Sequence, residues 1–457
     1  MKDLTTGRIG LSIFKFALPM LIGQMFQQLY TFVDQIIVGN FLGKEALAAV
    51  GASFPIIFTL IALVIGIASG GTIVISQFFG AKDFRMVKRA IDTVFIMLFI
   101  AAIILTAAGY PFIEQIFRLI QLPEELMDQG VAYLSVYIGG LVLFFGYNGV
   151  AAILRGLGDS ITPLYFLILA TVLNIGLDLL FIVVWGWGVE GAAWATLIAQ
   201  GVAFLAAAIY LDRYHELINF NIRNFSFDRK VFRESMRIGL PTGLQHTFVS
   251  LGMLALMGIV NTFGTDVTAA YTAAGRLDSL AVIPAMVFAQ ALATYVGQNM
   301  GAGKLERVNR GLWTTFFMSS VVSVVMTAIV IIFKYPLMGW FTEDTTVIQI
   351  GGEYLTIVTS FYLIFTSMFI FGSVMRGAGD TLIPMFITLF ALWFIRIPAA
   401  FALSREFGET GIWWSIPSGW TVGLVLTLIY YKMGRWKSKV VVKKVVPEAA
   451  AAPSRKK

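Results

Sequence analysis

The 457-residue chain has no cysteine and only two histidines, His215 and His246. The first absence excludes disulfides, thiolate metal centres and cysteine nucleophiles. The second excludes a multi-histidine metal site. Charge is scarce too: 13% of residues are charged and 58% are hydrophobic, about half the charged fraction of a soluble globular protein. No Gly-Lys-Ser/Thr loop follows a strand, so no ATP site is expected and no other cofactor is implied. Energy must then come from an ion gradient or from the substrate's own gradient. What is present in quantity is apolar sequence. Runs of about 20 residues recur, each long enough for a transmembrane helix. They are continuous rather than alternating, which excludes a closed barrel.

Twelve spans are expected, at about 13–38, 50–76, 91–112, 131–154, 162–185, 189–211, 235–262, 270–298, 312–334, 352–375, 383–404 and 411–432. The start, "MKDLTTGRIGLSIFKFALPM", carries no small-residue cleavage site and reads as a retained helix. With the N-terminus inside, only Lys44, Arg118, Lys334 and Arg405 fall in outer segments, and Arg276 and Arg396 fall within spans. The rest of the 33 Lys and Arg are internal. This bias predicts a multi-pass protein of the cytoplasmic membrane with both termini in the cytoplasm. It also assigns the net charge of +7 to topology and anionic lipid, not to nucleic acid.

The chain repeats itself. "LRGLGDSITP" (154–163) returns as "MRGAGDTLIP" (375–384), and "FFGAKDFRMVKRA" (78–90) as "NMGAGKLERVNRG" (299–311), both 221 residues on. Six spans separate the copies, so both face the same way. The fold class expected is all-α, with twelve transmembrane helices in two six-helix lobes related by a pseudo-twofold axis along the membrane normal. The boundaries read as an N-lobe (1–212), a polar cytoplasmic linker (213–234), a C-lobe (235–436) and a basic, disordered tail (437–457). A substrate cleft is expected between the lobes. An enzyme has no need of this duplication, whereas alternating access uses it directly; no enzyme activity is expected.

Polar residues inside the spans then stand out. In span one, Gln24, Gln27, Thr31 and Asp34 share one helix face. In span five, Asn174 and Asp178 share another. At ~1.5 Å per residue, Asp34, Asp178 and Thr196 lie roughly 8–10 Å from the outer ends of spans one, five and six. Carboxylates in lipid are expensive and face a bundle interior or a wet cavity. In low dielectric a carboxyl holds its proton more tightly, and a second carboxylate nearby strengthens this for one of the two. Such a cluster can carry H⁺; with the neutral oxygens of Asn174 and Thr196 it can also hold Na⁺. The repeat acts as a control: the positions 221 further on are Ala255, Ile395, Ala399 and Pro417. The C-lobe has lost all four groups, which points to ion chemistry specialised to one lobe.

The C-lobe has charges of its own: Arg276 and Asp278 in span eight and Arg396 in span eleven. An ion pair between Asp278 and either arginine is the first expectation, and substrate contact by Asp278 and Arg396 the second. Gln24, Gln27, Thr31, Gln245, His246 and Met253 are the other candidate cavity residues. Arg155 and Arg376 sit in "RGxGD" turns, where pairing with Asp159 or Asp380 would latch the loop.

"FALPMLIGQMFQQLYTFVDQIIVGNFLGKEALAAVG" (16–51), "QFFGAKD", "LRGLGDSITP" and "VLNIGLDLLFI…WGVEGAAWATLIAQ" closely resemble prokaryotic multidrug and toxic compound extrusion (MATE) transporters over residues 10–432. The resemblance implies a V-shaped pair of six-helix lobes that exports cationic or amphiphilic drugs in exchange for H⁺ or Na⁺. It places Asp34, Asn174, Asp178 and Thr196 in the N-lobe coupling site. Some members use acidic residues of spans seven and ten for Na⁺. Span seven here has none and span ten only Glu353, which favours H⁺. A Na⁺-coupled antiporter and a lipid-linked saccharide flippase are the alternatives. The expected partners are the bilayer and small amphiphiles, and the expected state is a monomer.

Overall fold

A computed structural model describes residues 2–214 and 225–442. Residues 215–224 of the expected linker, with His215, and 443–457 of the expected tail lie outside the described residues. The described chain is a helical bundle: α1 (Ile9–Gly80), α2 (Phe84–Gly109), α3 (Ile113–Leu119), α4 (Glu124–Gly139), α5 (Leu141–Gly156), α6 (Ile161–Asp178) and α7 (Val189–Tyr214) form its first half. The second half comprises α8 (Arg229–Asn261), α9 (Thr265–Gly301), α10 (Leu305–Gly339), α11 (Thr345–Thr359), α12 (Tyr362–Gly377), α13 (Leu382–Phe390), α14 (Ile397–Phe407) and α15 (Glu409–Met433). Nine helices are long and apolar enough to cross a membrane, and the bent pairs α4–α5 (51°) and α11–α12 (46°) bring the number to eleven. α1 holds two spans, which makes twelve among the described residues.

The sequence suggests a loop between spans one and two. Instead, the chain turns within α1 at Gly43, whose φ of 88° and ψ of −175° lie outside helical space. That backbone is open to glycine and strained for other residues. A Cβ on Gly39 would lie 3.4 Å from Leu47, so the segments flanking the turn pack on each other.

The two lobes meet along α1, α8 and α9. Small residues let the backbones touch. A Cβ on Gly66 would lie 2.6 Å from the Gly239 carbonyl oxygen, and one on Gly70 2.3 Å from that of Ser235. Such close approach is how membrane helices associate without a hydrophobic driving force between them.

Further along the same helices the interface becomes two-fold symmetric. Ser76 and Gly297 are repeat equivalents and touch each other; a Cβ on Gly297 would lie 3.1 Å from that of Ser76. Gln77 Nε2 donates to the Gly377 carbonyl (3.0 Å), and its equivalent Gln298 Nε2 donates to the Gly156 carbonyl (3.3 Å). Both bonds cross between lobes, and both glutamines are fully buried. Terminal segments complete the set: Leu4 N–H donates to Gln298 Oε1 and Val441 N–H to Gln77 Oε1. Both ends of the described chain therefore lie at this one face of the bundle, here called the terminal face.

The lobes also exchange their leading residues. Leu4, Ile13, Phe16 and Ala17 pack into the core of the second lobe, while Val231 and Ile238 pack into that of the first. Arg307 and Lys304 bind the carbonyls of residues 4–7. Asp92 and Thr93 bind Ser226 and Asp228, at the equivalent positions before α8. These crossed straps were not legible as a division at residue 212.

The "RGxGD" turns are built differently from the sequence expectation. Asp159 accepts from the Ile161 and Thr162 N–H groups (3.0 Å each) and from Thr162 Oγ1 (2.6 Å), so it caps α6. Asp380 accepts from Tyr430 Oη at 2.6 Å. Arg376 donates to the Phe369 carbonyl at 3.4 Å. No ion pair joins either arginine to its aspartate among the described residues. At Asp159 the free N–H groups of the helix start take the carboxylate, and at Asp380 the Tyr430 hydroxyl does.

Candidate functional site: a carboxyl pair in the first lobe

Three spans deliver the polar groups that the sequence marked. α1 contributes Tyr30 and Asp34, one turn apart and therefore on one face. α6 contributes Asn174 and Asp178, and α7 contributes Thr196. Asn174 and Asp178 are fully buried and Thr196 is 6% exposed. Asp178 ends α6, and the chain continues as a π-helical turn, Leu179–Val184. Such turns break the regular backbone ladder and recur at functional sites.

The groups meet. Thr196 Oγ1 accepts from Tyr30 Oη at 3.0 Å and lies 3.5 Å from Asn174 Nδ2. The carboxyl groups of Asp34 and Asp178 are close enough to share a hydrogen bond when one carries a proton, and Asn174 lies beside Asp178 without a hydrogen bond to it. Tyr133 and Tyr137 of α4, both buried, lie within electrostatic reach of Asp34. Yet Asp34 Oδ1, Asn174 Oδ1 and both oxygens of Asp178 are buried without a donor from the protein. Buried polar atoms nearly always have partners. Here four acceptors in one place lack them. A single proton shared by the carboxyls, or a metal cation among the oxygens, relieves both the repulsion and the missing donors.

The sequence did not reveal the tyrosines. A signal existed for each: Tyr30 precedes Asp34 by four residues, and Tyr133 and Tyr137 share a helix face. The remaining candidates differ in exposure. Gln24 and His246 are half-buried, Gln27 is exposed, and Met253 is 40% exposed. Thr31 Oγ1 donates to the Gln27 carbonyl within its own helix (3.0 Å), and Gln245 Nε2 donates to Thr388 Oγ1 (2.9 Å). The structure does not gather these residues around the carboxyl pair.

The second lobe holds a different arrangement. Asp278 accepts from Tyr362 Oη at 2.6 Å and lies 3.5 Å from Tyr354 Oη. The expected ion pair is absent: neither Arg276 nor Arg396 is paired with Asp278 among the described residues. Two tyrosine hydroxyls satisfy the carboxylate in their place. Arg276 is exposed and borders an open pocket of about 590 Å³ with Asn261, Thr268 and Phe341.

The MatE family model matches residues 19–180 and again 241–402, once in each lobe. The chain belongs to the MATE family of transporters. Within it, the chain is 32% identical to the probable multidrug resistance protein YpnP of Bacillus subtilis, over 95% of this chain and 98% of the relative. It is 28% identical to the probable multidrug resistance protein NorM of Thermotoga maritima, over 94% of each. Among solved structures, it matches a multidrug resistance MATE family transporter in its outward-facing conformation with a TM-score of 0.89 and 26% identity, over 95% of this chain and 98% of that one. The two-lobed, membrane-spanning architecture read from the repeat is thus the MATE architecture. The carboxyl pair lies within one MATE lobe, not between the two.

Proposed function

We propose that this MATE transporter exports cationic or amphiphilic small molecules across the cytoplasmic membrane, exchanging them for H⁺ at the Asp34–Asp178 pair. The carrying observation is the contact between these two carboxyls, with buried oxygens that lack donors. Proton entry from the far face neutralises the pair and weakens its attraction for a cationic substrate, which then leaves outward. Proton loss towards the terminal face restores that attraction. Coupling follows because proton and substrate favour different lobe arrangements. The proposed orientation puts the terminal face in the cytoplasm. Its support is the Lys and Arg distribution together with the meeting of Leu4 and Val441 at one end. The proposed units are lobes over 1–212 and 235–436, working as a monomer.

One observation favours a second ion. Asn174 Oδ1 is a buried amide oxygen without a donor, and amide oxygens are ligands for Na⁺ rather than for H⁺. Asn174→Ala separates the readings. With H⁺ as the coupling ion, ethidium efflux from proteoliposomes driven by a pH step is expected to stay within about threefold of wild type. With Na⁺, the sodium concentration needed for half-maximal efflux rises by about tenfold or more, for one lost ligand of ~1.4 kcal/mol. Efflux driven separately by a pH step and a sodium step in the wild type tests the coupling itself. Response to neither gradient would remove the ion-exchange reading.

A further inference from the structure

Arg396 is a buried charge of the second lobe. It is 7% exposed and closes a π-helical turn, Ala391–Arg396, between α13 and α14. Its stem passes directly over α15 at Gly419, where a Cβ would lie 3.0 Å from that of Arg396. Its Nε is buried without an acceptor, and no hydrogen bond joins its guanidinium to another described residue. The acid in the same interior, Asp278, is within electrostatic reach but is held by Tyr362 and Tyr354. Trp413 Nε1, on α15, is a second buried donor without an acceptor. The Trp413 ring stacks on Tyr271 (centroids 5.7 Å, 8°) and meets Tyr354 edge-on at 5.1 Å.

An unpaired guanidinium at membrane depth is costly, and folding does not require one here, because the equivalent residue of the first lobe is Ile175. The local structure spends tyrosine hydroxyls on Asp278 and so leaves the guanidinium's donors free. A guanidinium with donors and no acceptor fits an acidic group carried on a substrate. We propose that Arg396 is a specificity-determining residue that receives the carboxylate of acid-bearing substrates, zwitterions included. This deepens the drug-export reading and rests on it. Guanidinium and carboxylate form paired, parallel hydrogen bonds. A site that leaves such a donor unpaired when the acid is missing rejects the analogue without it.

The test compares norfloxacin, which carries a carboxylate and an amine, with its methyl ester, which keeps the amine alone. Efflux of each is measured from proteoliposomes, with ethidium, which has no acid, as a third substrate. Wild type is expected to favour the acid over the ester by about tenfold or more. R396Q is expected to bring that ratio close to one while still exporting ethidium. R396K should fall between, since lysine keeps the charge and loses the fork. A wild-type ratio of one or less overturns the proposal without any variant, as does an R396Q protein that keeps the wild-type ratio. Failure of wild type to export ethidium strikes the drug-export reading instead, so the two failures are distinguishable.

Discussion

Asp34→Asn and Asp178→Asn each abolish gradient-driven ethidium efflux, with a loss of at least about tenfold, while leaving the protein as stable as wild type or more so. The two halves of this expectation come from the same geometry. Asparagine has the shape of a protonated aspartate, so the packing around fully buried Asp178 is preserved. It cannot release a proton, so the transporter is held in the form that repels or ignores a cationic substrate. Stability does not fall, because Asp178 presents two buried oxygens without donors beside a second carboxyl. Replacing an ill-satisfied buried charge by a neutral group is often neutral or stabilising. Efflux in proteoliposomes and a thermal melt of the purified variants check the two halves together. Normal efflux in both variants would remove the carboxyl pair from the mechanism. Lost efflux with a melt lowered by many degrees would make the pair structural.

The second large effect concerns the terminal face. There, the two lobes are joined across the pseudo-axis by Gln77 to Gly377 and Gln298 to Gly156. The hydrogen bonds between the lobes that join described residues lie at this end. For the substrate to enter from the terminal face, these bonds must break and the straps over Arg307 and Asp92 must shift. The chain has no cysteine, so a pair can be introduced without background. In S76C/G297C the Cβ atoms start about 3.1 Å apart and need widen only by a few tenths of an ångström to accept a disulfide. Oxidation is expected to reduce efflux to background, and reductant to restore it. Glycines nearby give the opposite perturbation. A Cβ on Gly80 would sit 1.9 Å from the Gln298 carbonyl oxygen, and one on Gly301 1.8 Å from that of Gln77. Gly80→Leu and Gly301→Leu therefore force the lobes apart here. Labelling of the cysteine pair by a membrane-impermeant thiol reagent from the terminal side should rise in either background. Full efflux from the oxidised pair would show that this face need not open.

How much of this was written in the chain depends on the range of the interaction. The spans were legible, because lipid demands about 20 apolar residues whatever their neighbours. The two lobes were legible, because the repeat preserves Arg155/Arg376 and Gly158/Gly379 at one offset. Asp34, Asn174, Asp178 and Thr196 were legible as a set, because a polar group at a given depth needs a companion at the same depth. What escaped were contacts decided by three-dimensional packing. Gly39, Asn40, Lys44 and Glu45 gave a loop signal, but a single non-helical residue, Gly43, makes the turn and helix continues on both sides of it. The crossed straps of residues 4–7 and 225–228 bind the opposite lobe, and neither composition nor period records which lobe a segment covers. Tyr354, the repeat equivalent of Tyr133, lies close to Asp278 as Tyr133 lies close to the first lobe's carboxyls, yet the charges differ. Opposite signs on Asp278 and Arg396 suggested an ion pair. Two hydroxyls aimed at the carboxylate decided otherwise.

The central claim is that proton and substrate compete through one carboxyl pair inside the first lobe. It is tested most directly by measuring proton release when ethidium binds to the purified protein in sodium-free, weakly buffered solution between pH 6 and 8. The account predicts release that scales with the amount bound in the wild type and disappears in the D34N/D178N double variant. Binding of ethidium to wild type with no proton released anywhere in that range would contradict it.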